Sequence, residues 1–417
     1  MKHLSIRLRA ISPLSIRSDH APGGADGARY IPGTTFMGSL TAAHRLLYPE
    51  KRDEFEQLFL QEQVLYPVLY PAVFEDQGLQ DTDLPVYQLP KTAQSCKRHE
   101  GFLYPKNAEN DAHGVRDSLL DWAIFKLGET YRAREVEPLA ALCKYKKCSC
   151  GEVMDSFDGY YRRRLTEPND MFAAQVYTRL QTRTGIDRKS GIVQDGILYN
   201  REVLEEDMRF WGTVRFIDNE KLISQFKNFI DEIGHVGLVR IGTGRTRGMG
   251  KVTINRGDEV QQDQFESFTQ RLHTLNDLLH QQADAFKLSG LQDRFFFALT
   301  LHSPLILCDD LLRYRSTIDA QVLLELLGCQ VPGLECIYQT ASVKRVTGWL
   351  ELWGMPRMNE YAIETGSVFL FSCESSPGTE VLQALFALEE QGVGKRRGEG
   401  FGRLCVSDQF HQEINVR

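Results

Sequence analysis

Gly242-Thr243-Gly244-Arg245-Thr246-Arg247-Gly248-Met249-Gly250-Lys251-Val252 and Gly392-Val393-Gly394-Lys395-Arg396-Arg397-Gly398-Glu399-Gly400-Phe401-Gly402-Arg403-Leu404 follow one pattern. Each mixes glycine with basic residues, sets an apolar residue between two glycines, and runs through a base into a strand-like stretch. A second matched pair stands earlier in each half: Leu8-Arg9-Ala10-Ile11-Ser12-Pro13-Leu14-Ser15-Ile16 and Leu299-Thr300-Leu301-His302-Ser303-Pro304-Leu305-Ile306-Leu307. Both read as alternating strands running into Ser-Pro-Leu. Proline cannot donate to a sheet ladder, so each Ser-Pro marks a bend or an edge where pairing stops. Two matched signals in the same order predict a duplication whose period is a whole domain.

Between the halves, Phe265, Phe268, Leu272, Leu275, Leu278 and Leu279 fall on helical spacing with polar residues between, which predicts an amphipathic joining helix. In the first half, Tyr30-Ile31-Pro32-Gly33 stops the chain, and Thr34 or Thr35 can cap a helix through Ala42, Ala43, Leu46 and Leu47. A strand, a helix and further strands around one sheet predict a ferredoxin-like α+β unit, twice in tandem. The expected boundaries are 1–258 for the first unit, 259–289 for the linker helix and 290–417 for the second. The first unit carries an insertion at about 70–165 and a hairpin at about 179–204.

Bulk properties narrow the function. The chain has 417 residues, enough for two or three domains with cores of their own. Its longest apolar runs, such as Phe295-Phe296-Phe297-Ala298-Leu299, fall far short of the ~20 residues a membrane span needs. The alternating start Met1-Lys2-His3-Leu4-Ser5-Ile6 reads as a strand and lacks the apolar run of a signal peptide, so a cytoplasmic location is expected. A formal charge of −7 argues against indiscriminate nucleic-acid binding, while leaving local basic clusters able to hold phosphate.

The glycine-rich loops are such clusters. Glycine lets a backbone approach a ligand closely, and successive N–H groups form an anion-binding concavity. Gly244, Arg245, Arg247, Gly248, Gly250 and Lys251 in the first loop, with Lys395, Arg396, Arg397, Gly398, Gly400 and Gly402 in the second, suit a sugar-phosphate backbone read without base specificity. A nucleotide-hydrolysing loop is excluded. Arg245 stands where its first glycine must be, and Val252 where its hydroxyl must be.

Together with Ile31-Pro32-Gly33-Thr34-Thr35-Phe36-Met37-Gly38 and the helix after it, this order of segments resembles the RAMP superfamily of CRISPR-Cas effector subunits. Arg183-Thr184-Gly185-Ile186-Asp187-Arg188-Lys189, followed by Asp195-Gly196-Ile197-Leu198-Tyr199, looks like the projecting hairpin of type III members. Val346-Thr347-Gly348-Trp349, Gly354-Met355-Pro356 and Gly366-Ser367-Val368-Phe369 are similar to the C-terminal domain of two-domain members. The likeness is greatest to the type III-D subunit that holds the 5′ tag of the guide. It implies a non-catalytic role: gripping the crRNA, meeting target RNA through the hairpin, and docking on the large polymerase-like subunit and the backbone RAMP subunits. Thr34, Thr35, Arg183, Arg188, Lys189 and Trp349 join the two loops as expected RNA contacts, Trp349 by base stacking.

Nine cysteines in a chain without an export signal point away from a disulfide framework. Cys96, His99, His113, Cys143 and Cys148-Ser149-Cys150-Gly151 offer six soft or borderline ligands within 55 residues, which suits a structural Zn2+ site. Family members carry a cysteine, a histidine before Gly-x-x-Asp, and a Cys-x-x-Cys knuckle here. This chain keeps Cys96 and His113-Gly114-Val115-Arg116-Asp117, but its pair is Cys-x-Cys, so Cys143 stands as an alternative to Cys148.

Two other classes of function are weighed against this one. Related backbone subunits cut target RNA with an aspartate after the first strand, where Asp19 and Asp26 stand; related processing endonucleases use a histidine near the first helix, where His44 stands. A zinc-stabilised protein scaffold without RNA contact is the third reading.

Overall fold

Alternation decides the first sheet. Leu4, Ile6, Leu8 and Ala10 point into the core, and His3, Arg7 and Arg9 point away from it. The computed structural model describes residues 1–17, 27–72, 86–103, 111–131, 147–163, 171–186, 193–217, 219–260, 264–350, 354–412 and 415–416. Within them the protein is a mixed α/β chain with several antiparallel sheets and seven α-helices. No described helix is long and apolar enough to cross a membrane.

Strand Lys2–Ala10 lies between Val252–Val260 and Arg209–Phe216, and Arg209–Phe216 pairs in turn with Val64–Leu65 and Tyr70–Ala72. Helices Gly33–Leu47, Arg52–Phe59 and Glu220–Val236 cover one face, closing a core around Phe36, Tyr66, Phe210, Phe216, Phe226 and Phe229. The second sheet runs Glu335–Thr340, Val368–Cys373, Phe295–Leu301, Leu404–Val406, with helices Ala320–Leu327 and Thr379–Gln391. Counting only the strands of each unit's main sheet in chain order, with the insertion and the hairpins set aside and Val64–Leu65 taken with Tyr70–Ala72, both sheets run second, third, first, fourth.

The two sheets differ in what covers their other face. Phe295–Leu301 and Val368–Cys373 are buried at every position, as strands covered on both sides must be. Phe297, Leu299, Phe369 and Phe371 meet the helices of their own unit. Phe296, Ala298, Val368 and Leu370 meet the linker helix Phe265–Ala285 and the insertion helix Leu119–Tyr131, through Leu275, Leu279, Ala123, Ile124 and Leu127. The linker helix forms on the expected spacing, with Phe268, Leu272, Leu275 and Leu279 buried.

One expectation changes, and two further features join the halves and match them. Helix Gly33–Leu47 begins two to three residues early, after Pro32, and no side chain caps it; Thr34 and Thr35 lie inside its first turn, half-buried. Proline at that point sets the entry backbone by itself. The insertion helix Leu119–Tyr131 shares a core with the second unit. In the second half Val343–Val346 pairs with Glu360–Ile363 as a hairpin, in the place that Thr178–Ile186 and Val193–Leu204 hold in the first. Leu14 N–H donates to Leu204 O in one half and Leu305 N–H to Ile363 O in the other, which fixes the equivalence.

Candidate nucleic-acid interface and metal cluster

The Ser-Pro strands and the glycine-rich loops, matched separately in the sequence, form one structural unit in each half. Ser12 Oγ accepts from Lys251 N–H at 2.9 Å, and Ser303 Oγ from Arg403 N–H at 2.8 Å. Gly250 N–H donates to Pro13 O, and Gly402 N–H to Pro304 O. Thr243 N–H reaches Ser15 O, and Lys395 N–H reaches Ile306 O. A short 3-10 turn follows in both, Arg245–Arg247 and Arg397–Glu399. The glycines are required at the crossings: a Cβ on Gly250 would lie 2.5 Å from Ile241 O, and one on Gly402 1.8 Å from Val393 O.

The same loop serves different surroundings. In the first half Arg245, Arg247 and Lys251 are exposed, and Gly248 has open space beside it. Arg201, on the return strand of the hairpin, donates to Thr243 Oγ1 at 3.3 Å and adds its charge to the group. The sequence pattern does not single out Arg201, because only the register of the hairpin brings it to the loop. In the second half the loop is seated against the first unit. Tyr66 N–H donates to Gly398 O, and a Cβ on Gly33 would meet Glu399 O at 2.4 Å. Arg403 donates to Thr213 O and Leu65 O at 2.7 and 3.2 Å. Arg396 forms ion pairs with Glu399 and Glu360, Arg397 with Glu62 at 3.6 Å. Those carboxylates hold Arg396 above its ordinary range in spite of burial. Lys395 alone of this loop's three adjacent bases is exposed. Thr34 and Thr35 lie beside that seat, at the start of the helix it touches.

The hairpin Thr178–Ile186 and Val193–Leu204 forms a two-stranded sheet of its own, with Tyr177 and Leu180 exposed at its base. Arg183 is half-buried and donates to Gln181 Oε1 at 3.2 Å. Arg188 and Lys189 lie outside the described residues. Trp349 is on the short strand Trp349–Leu350, opposite Pro356.

Cys96, His113, Cys148 and Cys150 bring four ligand atoms within 4.8 Å of one another. Cys96 ends strand Ala93–Cys96, and His113 precedes its partner Gly114–Asp117. Cys148 and Cys150 lie in a tight knuckle, where Gly151 N–H donates to Cys148 O and Gly151 adopts φ +86°. Cys96 Sγ is 3.7 Å from Cys150 Sγ, and His113 Nδ1 is 3.1 Å from Cys148 Sγ. Burial opposes the Cys148 thiolate, but hydrogen bonds from the Cys150 backbone, His113, Ser149 and Cys150 outweigh it and bring the pKa down to about 6. A thiolate at neutral pH is what a metal ligand needs. His99 stacks on His113 and pairs with Asp111, outside the group of four. Cys143 lies outside the described residues.

His44 is fully buried, ringed by Tyr48, Phe55, Phe59 and Phe229, with Nε2 3.2 Å from Glu54. Burial keeps it below the ordinary imidazole value. Asp19 and Asp26 lie outside the described residues. Thr300, His411 and Asp117 have the order of a hydroxyl–imidazole–carboxylate triad, at 2.7 and 2.9 Å. Thr300 and His411 are 0% and 2% exposed, so the trio ties the insertion to the second sheet and has no opening for a substrate.

A family model described as the RAMP superfamily matches residues 7–253. No curated protein matches the chain. Among solved structures, chains from two cryo-EM structures of a Type III-B Cmr-beta complex bound to cognate target RNA, one also with AMPPnP, align at 12% identity. They cover 96% of this chain, and 96% and 98% of their own, at TM-scores of 0.42 and 0.40. A third, from the apo state of Cmr-beta, aligns at 13% identity over 61% of this chain and 96% of its own, with a TM-score of 0.29.

Proposed function

The chain belongs to the RAMP superfamily through the match across residues 7–253, and from that premise we propose that it is a non-catalytic, RNA-binding subunit of a type III CRISPR effector complex. In this reading it holds the 5′ tag of the crRNA and bridges the large polymerase-like subunit to the backbone RAMP subunits of a cytoplasmic assembly. Each half is a ferredoxin-like unit, a reading supported by the shared strand order and by a helical connection after the first strand (two helices in the first half, one in the second) and one helix after the third.

The observation that carries the proposal is the asymmetry of two equivalent loops. The second is seated in the boundary between units. The first presents Arg245, Arg247 and Lys251 outward beside Arg201, on glycines that leave the backbone open to a phosphate. The hairpin springs from the same place, so an RNA strand lying on the loop would run towards its flank. The four ligands Cys96, His113, Cys148 and Cys150 would hold one structural Zn2+, with Cys143 outside the set. Tetrahedral zinc with Zn–S bonds of about 2.3 Å sets its sulfurs about 3.8 Å apart, against 3.7 Å for Cys96 and Cys150. Such an ion would fix the knuckle to the edge of the insertion's sheet.

The test is the salt dependence of guide binding by the assembled complex. Changing Arg245 and Arg247 together to Ala is expected to weaken binding and to flatten log K against log salt by about 0.7 per lost contact. An unchanged slope refutes the grip. RNA extracted from the native complex is expected to share one constant 5′ end, whereas a complex without RNA would leave the scaffold reading.

A further inference from the structure

The hairpin of the second half and the turn beside it hold residues to which the reading above gives no role. In the pair Val343–Val346 and Glu360–Ile363, Arg345 stands opposite Tyr361. Val346 and Ala362 are buried with Ile306 and Phe401, so Arg345 and Tyr361 occupy the outer face. The turn 308–314 lies against them. Cys308 bridges to Tyr314, and the Tyr314 ring meets Tyr361 edge-on, with centroids 5.7 Å apart at 70°. Tyr314 is 41% exposed and Tyr361 47%.

The turn is built firmly. The Asp309 carboxylate accepts from the backbone N–H groups of Leu311 and Arg313 and pairs with the Arg313 guanidinium at 2.7 Å. Leu312 is held at φ +61°, a conformation leucine rarely adopts. Tyr314 is therefore presented by a braced frame.

The charges around it sort into two groups. Arg313 is matched by Asp309, Arg315 by Glu325, Arg357 by Glu399, and Arg396 by Glu360 and Glu399. Arg345 and Lys395 are exceptions: among the described residues no side-chain hydrogen bond or ion pair engages either one. Lys395 pairs through its backbone with Ile306, two residues before Cys308, and its side chain is exposed. Two exposed rings beside these two cations match an unpaired nucleotide, which offers a π face to stack and a phosphate to neutralise. An acidic peptide would engage the cations and leave both rings uncovered.

We propose that Tyr314, Tyr361, Arg345 and Lys395 form a base-stacking platform for one or two unpaired nucleotides of an RNA strand. This rests on the RNA-binding reading and deepens it: the first half grips backbone, and the second holds bases.

The full-length chain is titrated against a fluorescein-labelled single-stranded RNA of about twelve nucleotides, at salt from about 50 to 200 mM. Tyr361→Ala and Tyr314→Ala are each expected to weaken binding roughly 5- to 100-fold with the salt slope unchanged, and Tyr361→Phe to bind as the wild type does. Arg345→Ala and Lys395→Ala are each expected to reduce the slope by about 0.7. Tyrosine-to-alanine variants that bind normally, while Arg245→Ala with Arg247→Ala weakens, overturn the platform alone. A wild-type chain with no affinity for the RNA overturns the platform and the RNA-binding reading together. Alanine variants that keep RNA but lose association with the other subunits overturn it in favour of protein docking. Where an alanine variant does not fold, wild-type chain is photo-cross-linked to 5-iodouridine RNA. An adduct on Tyr314 or Tyr361 supports the platform, and adducts confined to other peptides overturn it.

Discussion

At the scale of single residues, positive φ and burial make separable predictions. Gly402 sits at φ +74° with Val393 O where a Cβ would go, whereas Gly248, at φ +78°, has open space. Gly402→Ala is expected to cost about 3 kcal/mol or more, since backbone must move. Gly248→Ala is expected to cost only about 1 kcal/mol of left-handed strain; urea unfolding distinguishes the two. The histidines set a pH window. His44 and His3 are both held below the ordinary 6.5, chiefly because burial penalises the imidazolium, and the Glu54 and Glu390 carboxylates only partly offset this. The unfolded chain therefore takes up these protons first. The stability the two histidines contribute is complete above about pH 6.5 and declines as pH falls through their folded-state values. Urea midpoints are expected to drop between about pH 7 and pH 5.5, and His44→Phe, which replaces one ring among aromatic neighbours, to flatten that drop. An equal decline in the variant would mean that His44 does not titrate in this window.

At the scale of elements, the insertion helix Leu119–Tyr131 is the test of how the halves are joined. Ile124 packs against the linker helix and the outer face of the second sheet. Ile124→Ala is expected to cost about 2–4 kcal/mol and to expose the helix to limited proteolysis before either unit unfolds. The knuckle is a second such element. Elemental analysis is expected to give one zinc per chain, lost in Cys148→Ser and retained in Cys143→Ser; the reverse would put Cys143 in the place of Cys148. Much of this layer was legible in the sequence. Ser-Pro-Leu and the glycine spacing identified both copies of the loop, and the apolar spacing from Phe268 to Leu279 identified the linker helix. The second hairpin was not legible, because Val343-Lys344-Arg345-Val346 is too short for its alternation to stand out. Nor was the seat of the second loop. Arg396 and Arg397 look like phosphate ligands until the fold brings Glu360, Glu399 and Glu62 to them.

At the scale of the whole molecule, the boundary between units is held by polar groups with backbone partners. Arg215 donates to Glu389 O and Glu390 O, in the last turn of helix Thr379–Gln391, where a cation meets the negative end of the helix. Arg403 bonds two carbonyls of the first sheet from the other side. Arg403→Ala is expected to cost about 2–4 kcal/mol, since it leaves buried acceptors without donors. Faster hydrogen exchange is expected along 64–72 and 379–391, with the first core unchanged; uniform acceleration would point to global destabilisation instead. The last described strand, Asn415–Val416, pairs with Gly114–Asp117 of the insertion, and Phe410 and His411 contact Tyr161 and Asp117 there. Synthesis therefore imposes a wait. The insertion leaves the ribosome roughly three hundred residues before the strand that completes its sheet. Until then one edge of that sheet stays unpaired and Tyr161 lacks its Phe410 neighbour, so the insertion closes only after the last strand of the second unit's sheet has been made.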